Sequence, residues 1–141
     1  MNEANLKGAN LQGANLEEAS LFRTNFQETN LDGVILRKAK LRQADLRRAD
    51  LCRTNLEGAN LEDANLEDAK LKGFPIFSKS NPYSQKFEYA NLQGASLQGA
   101  SLQGAVVGKD WFEKLDAWEV IGKEEIAAKY LIDENERLQL R

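Results

Sequence analysis

Histidine is absent from the 141 residues, which removes the commonest general base and metal ligand from any chemistry the chain could perform. Cys52 is the only cysteine, so neither an intramolecular disulfide nor a cysteine-rich zinc site can form. A cationic neighbour lowers a thiol pKa, and Arg53 follows Cys52; the sequence nevertheless favours an inert, outward-facing thiol. Glu62, Asp63, Glu67 and Asp68 make an acidic patch suited to solubility, with loose divalent-ion binding the weaker alternative. No phosphate-cradling glycine loop follows a strand. The residues therefore assign no catalytic group, no cofactor and no metal, and the expectation is a non-enzyme. What remains is contact chemistry. The candidate partner-contact residues are Arg47 and Arg48 in a basic stretch, Phe77 and Tyr83 in an aromatic one, and Trp111 and Trp118 near the C-terminus.

The elements that position these residues follow from a period of five. Leu6, Leu11, Leu16, Leu21, Phe26, Leu31 and so on to Leu71 recur without a slip, and Ile76 can continue the series. Two residues before each stands a small residue, such as Ala4, Ala9, Thr24 or Ala39, and between them a polar one, usually Asn or Asp. At about 100° per residue a helix would smear these leucines around its axis. A flat strand would send successive leucines to opposite faces, because five is odd. Leucine-rich repeats need longer units. A chain that bends once per repeat returns every leucine to a shared interior, and stacked coils then build the core that no single coil has. Glycines such as Gly8, Gly13 and Gly58 fall near the bends, where backbone freedom helps.

The motif A-(D/N)-L-x-x, running from Ala4 to Gly73 and resumed at Ala90-Asn91-Leu92, Ala95-Ser96-Leu97, Ala100-Ser101-Leu102 and Ala105-Val106-Val107, resembles the pentapeptide-repeat family. The resemblance implies a mainly β fold, a right-handed quadrilateral parallel β-helix of about five coils, with four repeats per coil. It also implies that residues 20 apart are vertical neighbours. The charges fit: Glu17, Arg37 and Glu57 are spaced this way, as are Glu28, Arg48 and Asp68, Glu18 and Lys38, Arg42 and Glu62, and Arg47 and Glu67. A basic belt from Arg37 to Arg53 is thereby set between two acidic belts.

Two segments leave the rhythm. Residues 74–89 hold both prolines, and Leu71 to Leu92 is 21 residues, one more than four repeats. This reads as a late coil carrying an irregular loop near 77–86, whose aromatics either pack over the coil edge or form a contact surface. From Lys109 the period becomes helical. Asp110 is an N-cap candidate with Glu113 three residues on, and Lys123 to Asn135 reads as a second helix, followed by an extended Leu138-Gln139-Leu140. The expected organisation is a β-helix over 1–108 and an α-helical C-terminal cap over 109–141. The first coil has no comparable cap, and an open edge invites a second copy or a partner, so a homodimer is one expectation.

Nineteen Lys and Arg against 22 Asp and Glu give a net charge of −3, too mild to argue for nucleic-acid binding from bulk charge. No basic, apolar leader is present and no stretch approaches a membrane span, so a cytoplasmic protein is expected. The functional expectation is a structural or protein–protein interaction scaffold with an unidentified protein partner. Some family members resemble a DNA duplex in width and charge and bind DNA gyrase, and a DNA-mimic-type gyrase binder or inhibitor is the alternative the resemblance implies. The basic belt interrupts the acidic surface such a mimic needs. Direct nucleic-acid binding through that belt is disfavoured by the acidic coils beside it. Short family members of this kind are common in cyanobacteria.

Overall fold

The computed structural model describes residues 1–78 and 81–141, with side chains described outside 73–89. Each repeat is one tight turn and one bridge. The residue after the turn donates its amide to the leucine carbonyl three residues back, as Ala9 does to Leu6 at 3.0 Å and Ala64 to Leu61 at 3.0 Å. The third turn residue has positive φ, +68° at Gly8 and +57° at Arg48, which is the signature of a type II turn. The Asn or Asp that precedes most of the leucines closes the turn from outside. Its Oδ1 accepts the amide two residues on, Asn30 from Asp32 at 3.0 Å and Asn60 from Glu62 at 2.9 Å. A short acceptor on a flexible-free stem suits this bond, which explains the residue type.

The bridges stack in parallel. Asn5, Asn25, Asp45 and Asn65 pair in sequence along one face, and Asn10, Asn30, Asp50 and Lys70 along the next. Backbone bonds run both ways between levels: Phe26 donates to Asp45 at 2.7 Å, and Asp45 to Thr24 at 3.0 Å. Inside, the leucines from Leu21 to Leu71 and the alanines from Ala39 to Ala69 are at most 2% exposed. Thr24, Thr29 and Thr54 take the small position at 0% exposure. Each donates its hydroxyl to a carbonyl of the level above, Thr24 to Met1 at 2.9 Å, Thr54 to Leu31 at 2.8 Å and Thr29 to Leu6 at 2.8 Å, so none of the three buried hydroxyls is left unpaired. Leu6, Leu11 and Leu16 of the first level are only partly buried.

The break in the rhythm differs from the irregular loop expected near 77–86. The backbone forms an antiparallel hairpin of β1 (Lys72–Ser78) and β2 (Asn81–Tyr89), with Lys72 opposite Tyr89 and Phe77 opposite Gln85. Ile76 lies in β1 and leaves the coil series. The hairpin occupies one corner and no more: Ala90 donates to the Leu71 carbonyl at 2.9 Å, the same bond that closes every ordinary turn. Leu71 to Leu92 therefore spans one face, and the 21-residue spacing does not mark a coil. Vertical neighbours across this corner are 36 apart, Asn55 with Asn91 and Asn65 with Ser101. The two prolines read as chain breakers in the sequence; a two-stranded ribbon has outer edges where a missing amide costs no ladder bond.

After the last repeat come α1 (Trp111–Ala117), α2 (Lys123–Lys129), β3 (Tyr130–Ile132) and β4 (Leu138–Leu140), the two strands pairing antiparallel. The second helix thus stops at Lys129, short of the expected Asn135. Tyr130 is extended (φ −120°), and its hydroxyl accepts the Leu102 amide at 3.0 Å. The tail meets the amides that the final level turns outward. Gly94 donates to Trp118 at 2.7 Å, Leu97 to Ile121 at 2.9 Å, Gly104 to Leu138 at 2.7 Å and Val107 to Glu136 at 2.9 Å. A β-helix end left without such acceptors would expose a sheet edge. Asp110 makes no side-chain cap bond; its carboxylate pairs with Lys114 at 2.8 Å. No helix among the described residues is long and apolar enough to cross a membrane.

Candidate protein-contact surfaces

Arg47 and Arg48 stand at one corner of the coil, in a groove of about 270 Å³ that runs past Lys7, Glu28, Glu67 and Asp68. Both are already engaged. Arg47 forks onto Asp45, Nε to Oδ1 at 2.9 Å and Nη2 to Oδ2 at 2.6 Å. Its guanidinium, aided by the Gln27 amide, holds the Asp45 carboxyl down at about 2. The vertical pair expected between Arg47 and Glu67 is therefore replaced by one within its own repeat. Arg48 lies 4.0 Å from Glu28, which also meets Lys7 at 4.0 Å. Of the other predicted vertical pairs, Arg37 with Glu17, Lys38 with Glu18 at 4.0 Å, and Arg42 with Glu62 at 4.0 Å form between levels, whereas Arg37 turns to Glu17 and not Glu57, and Asp68 meets Arg137 and not Arg48. The basic belt is a rung in a charge ladder. Such pairs are weak singly, about 0.2–1 kcal/mol, and together they oppose a register slip, which would bring like charges face to face.

Cys52 is half-buried. Burial, followed by the hydrogen bond and charge of Asp50, pushes its thiol up to about 12. The lowering influence expected of Arg53 does not operate, because that guanidinium is turned onto the Asp32 carboxylate, Nε at 2.8 Å from Oδ1, and holds the Asp32 carboxyl below the usual range. The acidic patch is likewise committed to the protein. Asp63 meets Arg42 at 3.8 Å, Asp68 meets Arg137 at 3.6 Å, and Ser101 donates to Glu67 at 2.9 Å. Among the described residues no three carboxylate, thiol or imidazole groups converge as metal ligands.

The aromatic candidates separate. The side chains of Phe77 and Tyr83 lie outside the described residues. Trp111 is 1% exposed, so it is a core residue and offers no contact surface; at the start of α1 it covers the interior of the last level. Trp118 is partly buried against the core and supplies its carbonyl to Gly94. Two features escaped the sequence reading. Lys72, 8% exposed, pairs with Glu136 and ties the root of β1 to the tail; no spacing rule connects residues so far apart. A second groove, about 250 Å³, lies between α1 and α2, lined by Phe112, Leu115 and Ala127 with Glu113, Asp116, Lys123 and Glu124. Its charge was countable. Of the 19 basic and 22 acidic residues, six and nine fall in 109–141, so the tail carries the whole net charge of −3 and residues 1–108 are neutral.

A family model described as pentapeptide repeats matches in eight copies, over residues 1–37, 35–73 and 76–106. Among solved structures, the chain is similar to the pentapeptide repeat protein Rfr23 of the cyanobacterium Cyanothece 51142, with 33% identity over 74% of this chain and 57% of that one and a TM-score of 0.50. It is similar to alr5209, a pentapeptide repeat protein of Nostoc PCC 7120, with 32% identity over 72% and 66% of the two chains and a TM-score of 0.34. HetL of Nostoc sp. strain PCC 7120, a pentapeptide repeat protein involved in heterocyst differentiation regulation, shares 27% identity over 74% of this chain and 62% of its own, with a TM-score of 0.35. The chain thus spans less than two thirds of Rfr23 and of HetL. No curated protein matches it. Turn, bridge and interior each repeat every five residues through most of the chain, as the matched family model does, and the chain belongs to the pentapeptide-repeat family.

Proposed function

We propose that the protein is a non-enzymatic scaffold that binds another protein through the parts that depart from the repeat, the hairpin at 72–89 and the tail at 109–141. The observation that carries this reading is the state of the coil surface. Most of its turns are closed by their own Asn and Asp side chains, and its arginines are spent on carboxylates of the same or adjacent levels. A phosphate backbone approaching Arg47 and Arg48 would have to displace Asp45 and Glu28, which disfavours direct nucleic-acid binding.

The test keeps the full chain, because the tail supplies acceptors to the last level. A photo-crosslinking side chain is placed in turn at Arg48, Tyr83 and Trp118 in cells of the native host, and adducts are identified by mass spectrometry. A defined protein adduct at position 83 or 118, absent at 48, supports the reading. Adducts to a gyrase subunit along the coil would replace it with the DNA-mimic alternative. No adduct at any position would overturn the scaffold role.

A further inference from the structure

We infer that the groove between α1 and α2 is a docking site for a protein segment that presents one leucine-sized side chain flanked by lysines or arginines. This rests on the scaffold reading and names the chemistry of its partner. The floor is apolar: Phe112 is partly buried, Leu115 closes the bottom at 0% exposure, and Ala127 is exposed on the α2 side. A volume of about 250 Å³ has room for a large aliphatic side chain.

The rim selects the sign of the flanking residues. Asp116 is neutralised by Lys123 at 2.9 Å, and Lys114 by Asp110 at 2.8 Å. Glu113 and Glu124 have no ion pair among the described residues, and both are exposed. This is the reverse of the coil, where the arginine rows are matched by carboxylates. The groove also belongs to the segment that carries the whole net charge of −3. Unpaired carboxylates around an apolar floor attract a cationic segment at long range and reject an acidic one. Burial of the central side chain then supplies the short-range attraction.

The probes are three synthetic peptides titrated into the full-length, isotope-labelled chain at low ionic strength: lysines with one central leucine, lysines alone, and glutamates with one central leucine. Backbone amide shifts are followed by NMR. The expected result is saturable shifts centred on Phe112, Glu113, Glu124 and Ala127 with the first peptide, weaker binding by about tenfold without the leucine, and none with the acidic peptide. The exposed substitution Ala127→Arg should abolish the shifts, and Glu113→Gln with Glu124→Gln should weaken binding about 3–10-fold, with thermal midpoints unchanged. Equal binding of the lysine-only peptide, or shifts dispersed over the coil, would overturn the groove as a site while leaving the scaffold reading to the crosslinking result. A shift of the chain to dimers that masks the same amides would assign the groove to a second copy and overturn the proposal as well.

Discussion

The substitution that tests the corner chemistry most directly is at Arg47. The Asp45 carboxyl, held at about 2 by the Arg47 fork, has a folded-state pKa below its unfolded value of 3.8. Its contribution is therefore present above pH 3.8 and is lost as pH falls towards 2. Because Arg47 is solvent-exposed, water screens the pair and its contribution is small. Arg47→Ala should lower stability slightly at pH 7 and by almost nothing at pH 2, measured by urea unfolding at both values. Cys52 makes the opposite case. With its thiol at about 12 rather than the ordinary 9.0, the thiolate fraction at pH 8 is about a thousandth of that of an unperturbed thiol. Iodoacetamide should label the folded chain far more slowly than the urea-unfolded one, and Asp50→Asn should speed the reaction. Labelling of the native thiol as fast as free cysteine would contradict the assigned environment.

At the scale of elements, Gly122 decides whether the tail docks. Its φ is +91°, and a Cβ there would lie 2.9 Å from the Gln98 nitrogen and 3.0 Å from its Cα. Both are backbone atoms that cannot swing aside, and the neighbouring Ile121 bridges Ser96. Gly122→Ala should cost about 2–4 kcal/mol, from backbone strain and the lost bridge together. Hydrogen exchange should show Leu97 losing protection first; unchanged protection there would contradict this. The hairpin makes the complementary case. Since Ala90 closes onto Leu71 as in an ordinary turn, replacing residues 72–89 with a two-residue Asn-Gly turn should leave a folded coil. The loss expected is that of the Lys72–Glu136 pair, read as a modest drop in thermal midpoint. Failure of that variant to fold would show that the hairpin holds the lower levels together.

For the molecule as a whole, stability comes from the stack. A middle leucine such as Leu46, at 0% exposure, is held above and below by backbone ladders that cannot collapse on a hole. Leu46→Ala should cost about 2–5 kcal/mol, whereas Leu11→Ala, at the partly exposed first level, should cost about half as much. Chemical denaturation of the two variants side by side checks the gradient. The charge ladder adds register more than energy, so raising salt should lower the midpoint only slightly.

The period of five, the interior leucines and the vertical charge pairs of Arg37 with Glu17, Lys38 with Glu18, Arg42 with Glu62 and Arg48 with Glu28 were legible in the sequence, because each depends only on residues within one repeat or one coil away. The corner carrying the hairpin was not. Its 21-residue spacing mimicked a coil, and only the Ala90–Leu71 bond revealed a single turn with an insertion. The same holds for Arg47, where two carboxylates were within reach and geometry chose the nearer, and for Trp111, whose helical spacing said nothing of which side faced the last level. The second helix ended early because Tyr130 was needed as an acceptor for Leu102, a demand set by a coil edge 28 residues away. Local repetition is written in residue types; the closure of an open edge is written in which distant segment happens to supply the missing acceptors, and that is settled only when the chain has folded.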